Sequence, residues 1–357
     1  MKVPRILSFI LSMTMIAAVL SGCGNHAVEQ NPPLAGDSLQ KYSDCIFGAF
    51  DTAITVTAYC TDEEEFARFL SIARTEYNRY NRLYDIYSAY ENLANLRTVN
   101  INAGIRPVEV DRDIIDLLLF AREIYDLTGG EVNVAMGRLL SVWHDYRELS
   151  TNFPEQAAIP EMAALESAAE HRDISRMEID EEKGTVYLAD PDMRLDVGAI
   201  AKGYATERIA EKLEAEGFEC FALNAGGNVR VAGAKPDGSP WKVGVTDPTA
   251  PDGGYVGIVD AVNTSVVTSG SYQRFFTVDG IRYHHIIDGD TLYPENRYLS
   301  VTVVTEKSDL ADALSTALFN MELAEGKTFV ESLEGVEALW ILPDESLAAS
   351  SGFIMAD

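Results

Sequence analysis

The stretch LDVGAIAKGYATERIAEKLEAEGFECFALNAGGNVRVAG, residues 195–233, allows few arrangements. Leu195 and Val197 flank Asp196 in an alternation that predicts a short strand. Gly198 and Gly203 bracket a helix entry and let the backbone approach a ligand or a neighbour closely. Ile200, Tyr204, Ile209 and Leu213 recur at helical spacing, and Gly217 supplies a left-handed helix end. Phe221 to Leu223 then read as a buried strand, closed by the turn Asn224-Ala225-Gly226-Gly227-Asn228. The first-turn N–H groups of such a helix lack intrahelical partners, so with Lys202 beside them they suit an anion. The same residues fit a plain strand-helix-strand unit whose glycines serve packing.

Charge narrows the ligand class. With 28 basic and 56 acidic residues the net charge is −28, which excludes nucleic acid as a partner. An anionic ligand would need local help from a lysine, a helix N-terminus or a divalent cation. An apolar fraction of 47% is ample for a core.

The N-terminus has the pattern of a secretory signal over residues 1–22: Lys2 and Arg5, then an uncharged apolar run from Ile6 to Leu20. Its ending, Leu20-Ser21-Gly22-Cys23, resembles the bacterial lipoprotein box, which implies lipidation at Cys23 and an anchor on the extracytoplasmic side of the cell membrane. Residues 23–43, with Pro32-Pro33 and Gly36, read as the lipidated cysteine and a flexible tether, and residues 44–357 as the folded domain. That compartment permits disulfides, but Cys45, Cys60 and Cys220 leave one thiol over, and buried free thiols fit equally well.

Within the domain, Ile54, Val56 and Ala58 alternate as a half-buried strand, and Thr61-Asp62 cap a helix through Tyr84. Asp111 opens another helix that Thr128-Gly129-Gly130 stops, and Leu139, Leu140 and Trp143 lie on the next. Short strands are expected at 176–180, 185–189, 241–246, 255–260, 262–268, 273–278, 282–287 and 299–305, with Asp279-Gly280 as a hairpin turn. Residues 309–321 read as a helix and 336–342 as a last strand. Helices followed by antiparallel-looking strands around one βαβ-like unit indicate an α+β fold.

Three groups carry candidate chemistry. In SDLADALSTALF, Asp312 and Thr316 share one helix face about 6 Å apart, with Ser315 beside them, a set of oxygens suited to Mg²⁺. In HHIID, strand geometry sends His284 and His285 to opposite faces, and a histidine near Asp288 suits a general base. Thr268-Ser269-Gly270 offers a hydroxyl-rich turn for a phosphate. No serine-hydrolase or zinc-site spacing accompanies them.

Taken in order, FGAFDTAITVTAY, LYDIYSAYENLANL, TGG…LLSVW, LDVGAIAKGYATERIAEKL, NAGGNVRVAG, TSGSYQRFF, RYHHIIDGDTLYP and ADALSTALFNM resemble the ApbE-type flavin transferases over residues 44–342. The resemblance implies a two-lobed α+β fold with a flavin site between the lobes. It implies FAD as substrate, Mg²⁺ as cofactor, and transfer of FMN to a threonine hydroxyl of an acceptor protein with release of AMP. It puts Asp312, Thr316 and the Ala199 carbonyl on metal positions, with Ser315 where some members carry a further acid. Phe47, Tyr87, Glu131, Val132, Asn133, Asp196, Lys202 and Ile287 fall on FAD-contact positions, Ser269 lies in the TSGSYQRFF motif, and His285 falls on the proton-removing position. Two stretches depart from the family pattern: Asp288-Gly289-Asp290-Thr291-Leu292-Tyr293-Pro294, and Thr128-Gly129-Gly130-Glu131-Val132-Asn133. Hydrolysis of FAD by water and flavin binding without turnover are the competing functions.

Overall fold

The computed structural model describes residues 39–250 and 253–356. The signal segment, Cys23 and the tether up to residue 38 lie outside the described residues. The chain opens with β1 (Gln40–Ala49) and β2 (Thr52–Cys60), so strand structure begins inside the stretch expected to be tether. Then come α1 (Glu63–Tyr84), α2 (Leu96–Ile101), β3 (Val108–Glu109), α3 (Arg112–Leu127), α4 (Gly137–Asn152) and α5 (Met162–Ala169). The middle of the chain supplies β4 (Met177–Asp180), β5 (Thr185–Leu188), α6 (Ala201–Ala215), β6 (Phe221–Ala225), β7 (Asn228–Ala232), β8 (Trp241–Thr246) and β9 (Tyr255–Ala261). The remainder is β10 (Thr264–Gly270), β11 (Phe275–Val278), β12 (Ile281–His284), β13 (Ser300–Thr305), α7 (Ser308–Asn320), α8 (Leu323–Glu331), β14 (Glu337–Ile341) and β15 (Leu347–Ala349).

Among the described residues the main sheet has eight strands in the order β1-β2-β6-β7-β10-β13-β14-β15. Every neighbouring pair in it is antiparallel. Alternation along the strands sends Val56, Leu223, Val267, Val303 and Trp340 to one face, where α1, α6 and α7 cover them. Cys220, Val231, Val266 and Leu339 point to the other face and pack against the β8–β9 hairpin. The local signals hold: the Asp62 side chain accepts from the Glu65 N–H at the start of α1, and Asp111 accepts from the Asp113 N–H at the start of α3. Asp279 and Gly280 both take positive φ in the β11–β12 turn.

Three expectations are corrected. Residues 195–197 are not a strand, and no βαβ unit forms. The buried Asn100 carboxamide accepts from the Leu195 N–H at 2.7 Å and donates to the Leu195 carbonyl at 2.9 Å, filling the role a neighbouring strand would have had. Thr268-Ser269-Gly270 is the end of β10 rather than a turn, with Ser269 opposite Val301. The strand expected at 282–287 ends at His284. Cys60 and Cys220 are free thiols and lie on opposite faces of the sheet, while register sets Cys45 opposite Thr55.

Gly203 is the contact point between α6 and α7. A Cβ there would lie 2.3 Å from Asp312 Cβ and 2.4 Å from the Ser308 carbonyl oxygen. Gly203→Ala is therefore expected to force the helices apart and destabilise the fold by about 1–3 kcal/mol, measured as a lowered denaturant midpoint with an unchanged slope.

Candidate active site

The site forms where the entry to α6 meets α7. Because Gly203 admits α7 so closely, its N–H donates to Asp312 Oδ2 at 2.7 Å. The helical ladder accordingly begins one residue later, with the Tyr204 N–H on the Ile200 carbonyl. The Ala199 carbonyl thus has no helical N–H on it and remains an open acceptor at the turn before α6. Asp312 is 4% exposed; its Oδ1 lies 3.5 Å from Lys202 Nζ. Thr316, one turn further along α7, is half-buried, and its hydroxyl makes no hydrogen bond among the described residues. Ser315 is buried, its hydroxyl 2.7 Å from Ser269 on β10 and 2.9 Å from the Asp312 carbonyl, which ties α7 to the sheet. A buried carboxylate, an open carbonyl and an unengaged hydroxyl are a hard-oxygen donor set of the kind that fits Mg²⁺.

His285 lies just past the end of β12. Burial is the first cause that pushes its imidazole down to about 3, and the positive charges of Arg274, Lys202 and Arg147 add to it. Its Nδ1 is buried without a hydrogen-bond partner. His284 faces elsewhere: it packs edge-on against Phe319 at 5.4 Å, and its Nε2 meets the Glu295 carbonyl at 2.7 Å. The expectation of opposite faces for the two histidines holds although the strand stops between them.

Asp288 sits 7% exposed, but its Oδ1 accepts from the N–H groups of Asp290 and Thr291 at 2.7 and 2.9 Å, and its Oδ2 lies 3.7 Å from Arg297. The carboxylate shapes the 288–294 loop and is hydrogen-bonded to backbone rather than to His285. The side-chain turn of Asp288 supplies the bend of this loop.

Asp196 is raised, chiefly by burial, while its bond to the Gly198 N–H at 2.8 Å and the charges of His144, Arg147 and Arg274 act the other way. Tyr87, 63% exposed, feels the charges of Asp196, Arg147 and Arg274, and its ring lies 5.3 Å from that of His144. The Asp196 N–H donates to the Val134 carbonyl, which joins this wall to the 131–133 segment. Phe47, 62% exposed, is at the end of β1 in the same hairpin as Asp51, whose charge reaches Tyr87. Ile287 and Val132 are buried; Ile287 packs with Met136 and Trp143.

Glu131 and Asn133 line a cavity of about 450 Å³ with Tyr125, Arg172 and Asp290. Asn133 donates to the Arg172 carbonyl and accepts from the Ala135 N–H, so its amide holds the loop. Burial, then the nearby Asp288 and Asp290 carboxylates, raise Glu131 to about 7. The native state therefore resists ionising Glu131, and stability is lost as pH rises from the usual glutamate range through 7. Glu131→Gln is expected to raise the melting temperature at pH 8 and leave it unchanged at pH 4, read from thermal unfolding at both pH values.

Sequence reasoning missed Arg147, Arg274 and His144. Arg274 stands inside TSGSYQRFF, and His144 and Arg147 share a face of α4 by their i,i+3 spacing. Of the three, Arg147 and His144 touch, with Nη2 and Nδ1 2.9 Å apart.

The sequence profile of the ApbE family matches residues 50–340. The chain is 34% identical over 273 residues to the FAD:protein FMN transferase of Treponema pallidum (strain Nichols), covering 72% of this chain and 74% of that protein. It is 32% identical to the FAD:protein FMN transferase of Klebsiella pneumoniae (strain 342), covering 73% and 79%. Among solved structures, the ApbE protein of Thermotoga maritima superposes with a TM-score of 0.77 at 28% identity, covering 87% of this chain and 97% of that one. The flavin transferase ApbE of Vibrio cholerae superposes with a TM-score of 0.72 at 24% identity, a likeness of fold. By its profile match, its relatives and its fold, the chain belongs to the ApbE family of transferases.

Proposed function

We propose that this protein transfers the FMN half of FAD to a threonine hydroxyl of an acceptor protein, releasing AMP, with Mg²⁺ held by Asp312, Thr316 and the Ala199 carbonyl. The observation that carries the reading is the Gly203–Asp312 contact, which fixes a buried carboxylate beside an open carbonyl and a lysine. In a chain of net charge −28, that is a local place for a pyrophosphate. When bound, the cation supplies charge neutralisation across the pyrophosphate.

The residues of the chain do the rest. Lys202 at the α6 entry faces the dinucleotide's charge. Tyr87 and Phe47 offer exposed rings for a planar group. The acceptor hydroxyl oxygen bonds to the FMN phosphorus, the bond from that phosphorus to the bridging oxygen breaks, and AMP departs with that oxygen. His285, neutral at pH 7, takes the hydroxyl proton. The nucleophile comes from the partner, which accounts for the lack of an internal one. The test is incubation of the full chain with FAD, Mg²⁺ and a candidate acceptor, read by mass spectrometry. An FMN-sized addition on threonine with equimolar AMP supports the reading. AMP and free FMN formed equally fast without acceptor would make the protein a hydrolase, and intact FAD under both conditions would make it a binder.

The lipid anchor belongs to the same proposal. Leu20-Ser21-Gly22-Cys23 after an apolar run supports cleavage before Cys23 and an extracytoplasmic membrane location. Cys23→Ala is expected to move the protein out of the membrane fraction or leave its signal uncleaved; a wild-type protein found soluble with Met1 intact contradicts it.

A further inference from the structure

Asp312 is 4% exposed, and a carboxylate placed so deeply needs a positive partner. Its Oδ2 accepts from the Gly203 N–H at 2.7 Å, which leaves Oδ1. The contact on Oδ1 is Lys202 Nζ at 3.5 Å, the one salt bridge Asp312 makes among the described residues. Lys202 and Gly203 share the first turn of α6. The segment that offers the Ala199 carbonyl therefore also brings an ammonium to the carboxylate oxygen a metal ion would use. An ammonium and a divalent cation repel each other, so they cannot both sit on that oxygen without cost. A separation of 3.5 Å is long for a charge-assisted hydrogen bond, so the ammonium neutralises Asp312 without being locked to it. The Lys202 side chain is 31% exposed and ends a flexible four-carbon stem, which gives it room to turn away while α6 holds its backbone.

We infer that Lys202 is the stand-in cation of the Asp312 site: it neutralises Oδ1 until a divalent cation takes that place, and the displaced ammonium then turns to the pyrophosphate of the dinucleotide. The inference rests on the FAD reading above and deepens it, by making one lysine couple metal to substrate. When metal arrives alone, Lys202 loses its counterion and gains only water. When dinucleotide arrives alone, Lys202 can reach it only by leaving a buried carboxylate unpaired. With both present, each charge has a partner. Metal and dinucleotide therefore favour one another through Lys202, each strengthening the other by the same factor.

Calorimetry on the full chain, free of nucleotide, tests this with two probes: Mg²⁺ alone, and ADP, which carries a pyrophosphate without a flavin. Lys202→Met keeps the stem and removes the charge. It is expected to tighten Mg²⁺ alone about tenfold and to weaken ADP about tenfold, the scale of one charge-assisted contact in each case. The opposite signs are the signature. Mg²⁺ alone should also raise the melting temperature of Lys202→Met more than that of wild type, and Lys202→Gln should behave alike in both measurements. In an Asp312→Asn background the gain in Mg²⁺ affinity should vanish. Unchanged Mg²⁺ affinity in Lys202→Met overturns the inference, because the ammonium then does not compete. Weakened Mg²⁺ affinity overturns it as well, by giving the lysine a structural role. A gain that survives Asp312→Asn overturns it by placing the metal elsewhere. If the opposite shifts appear and no acceptor is flavinylated, the exchange stands and the transferase reading falls. If FMN is transferred while Mg²⁺ binds wild type and Lys202→Met equally, the transferase reading stands and the exchange falls.

Discussion

Asp312→Ala is expected to abolish FMN transfer, a loss on the order of 10³-fold or more, comparable to or larger than removing a single preorganised electrostatic contact. Asp312 is the sole carboxylate of the proposed donor set, and a hard cation depends on charged oxygen more than on a hydroxyl or carbonyl. Thr316→Ala should therefore be milder. The Asp312 carboxylate also accepts from the Gly203 N–H, so alanine leaves a buried donor unsatisfied as well. Asp312→Asn separates the two effects: an amide oxygen can keep the Gly203 bond while the charge is lost. Its expected phenotype is near-normal thermal stability with transfer as poor as in alanine. Single-turnover assays across a magnesium series give the answer, and full activity of either variant at low magnesium would place the metal elsewhere.

The second large effect is at His285. His285→Asn is expected to slow transfer by about 10²-fold or more, the range of general-base loss, with little change in FAD affinity. A histidine pushed down to about 3, chiefly by burial, is neutral at pH 7 and free to accept a proton, though a weak base beside the charges of Arg274, Lys202 and Arg147. An incoming pyrophosphate brings negative charge to Arg274, Lys202 and Arg147, so the substrate itself raises the basicity of the imidazole. His284→Asn should have the smaller effect on rate, because that ring is committed to Phe319 and the Glu295 carbonyl. The same half-buried ring has a cost in acid. Its native value lies below the ordinary histidine value of 6.5, so the unfolded chain binds the proton first, and stability falls as pH drops from 6.5 toward 3. His285→Asn should flatten that part of the stability curve. Normal turnover in both histidine variants would move the base to a carboxylate.

Much of this was legible in the residues because it is local. Asp62 and Asp111 capped their helices, Asp279-Gly280 turned its hairpin, and Asp312 and Thr316 were set on one face of α7 by helical spacing alone. The ordered motifs were sufficient to indicate the family, and the α+β class followed from the succession of periods. What failed also failed for a physical reason. Leu195-Asp196-Val197 alternates like a strand, but alternation records burial on one side, not which partner satisfies the backbone; the Asn100 carboxamide, distant in sequence, does so. Asp288 looked like an acid beside a histidine, yet its oxygens are closer to backbone N–H groups of its own loop.

The sequence by itself determined the family, most of the secondary elements and the residue types on which a magnesium- and flavin-dependent reading rests. Only the tertiary structure decided how they are made into a site. Gly203 could be read as a small residue, but the hydrogen bond from its N–H to Asp312 exists because two helices cross there. The open Ala199 carbonyl is a by-product of that same bond. The partial withdrawal of His285 from water arises from packing segments far apart in the chain. Periodicity reports what each segment buries; it carries no information on which buried groups face each other, and electrostatics in a site depends on that.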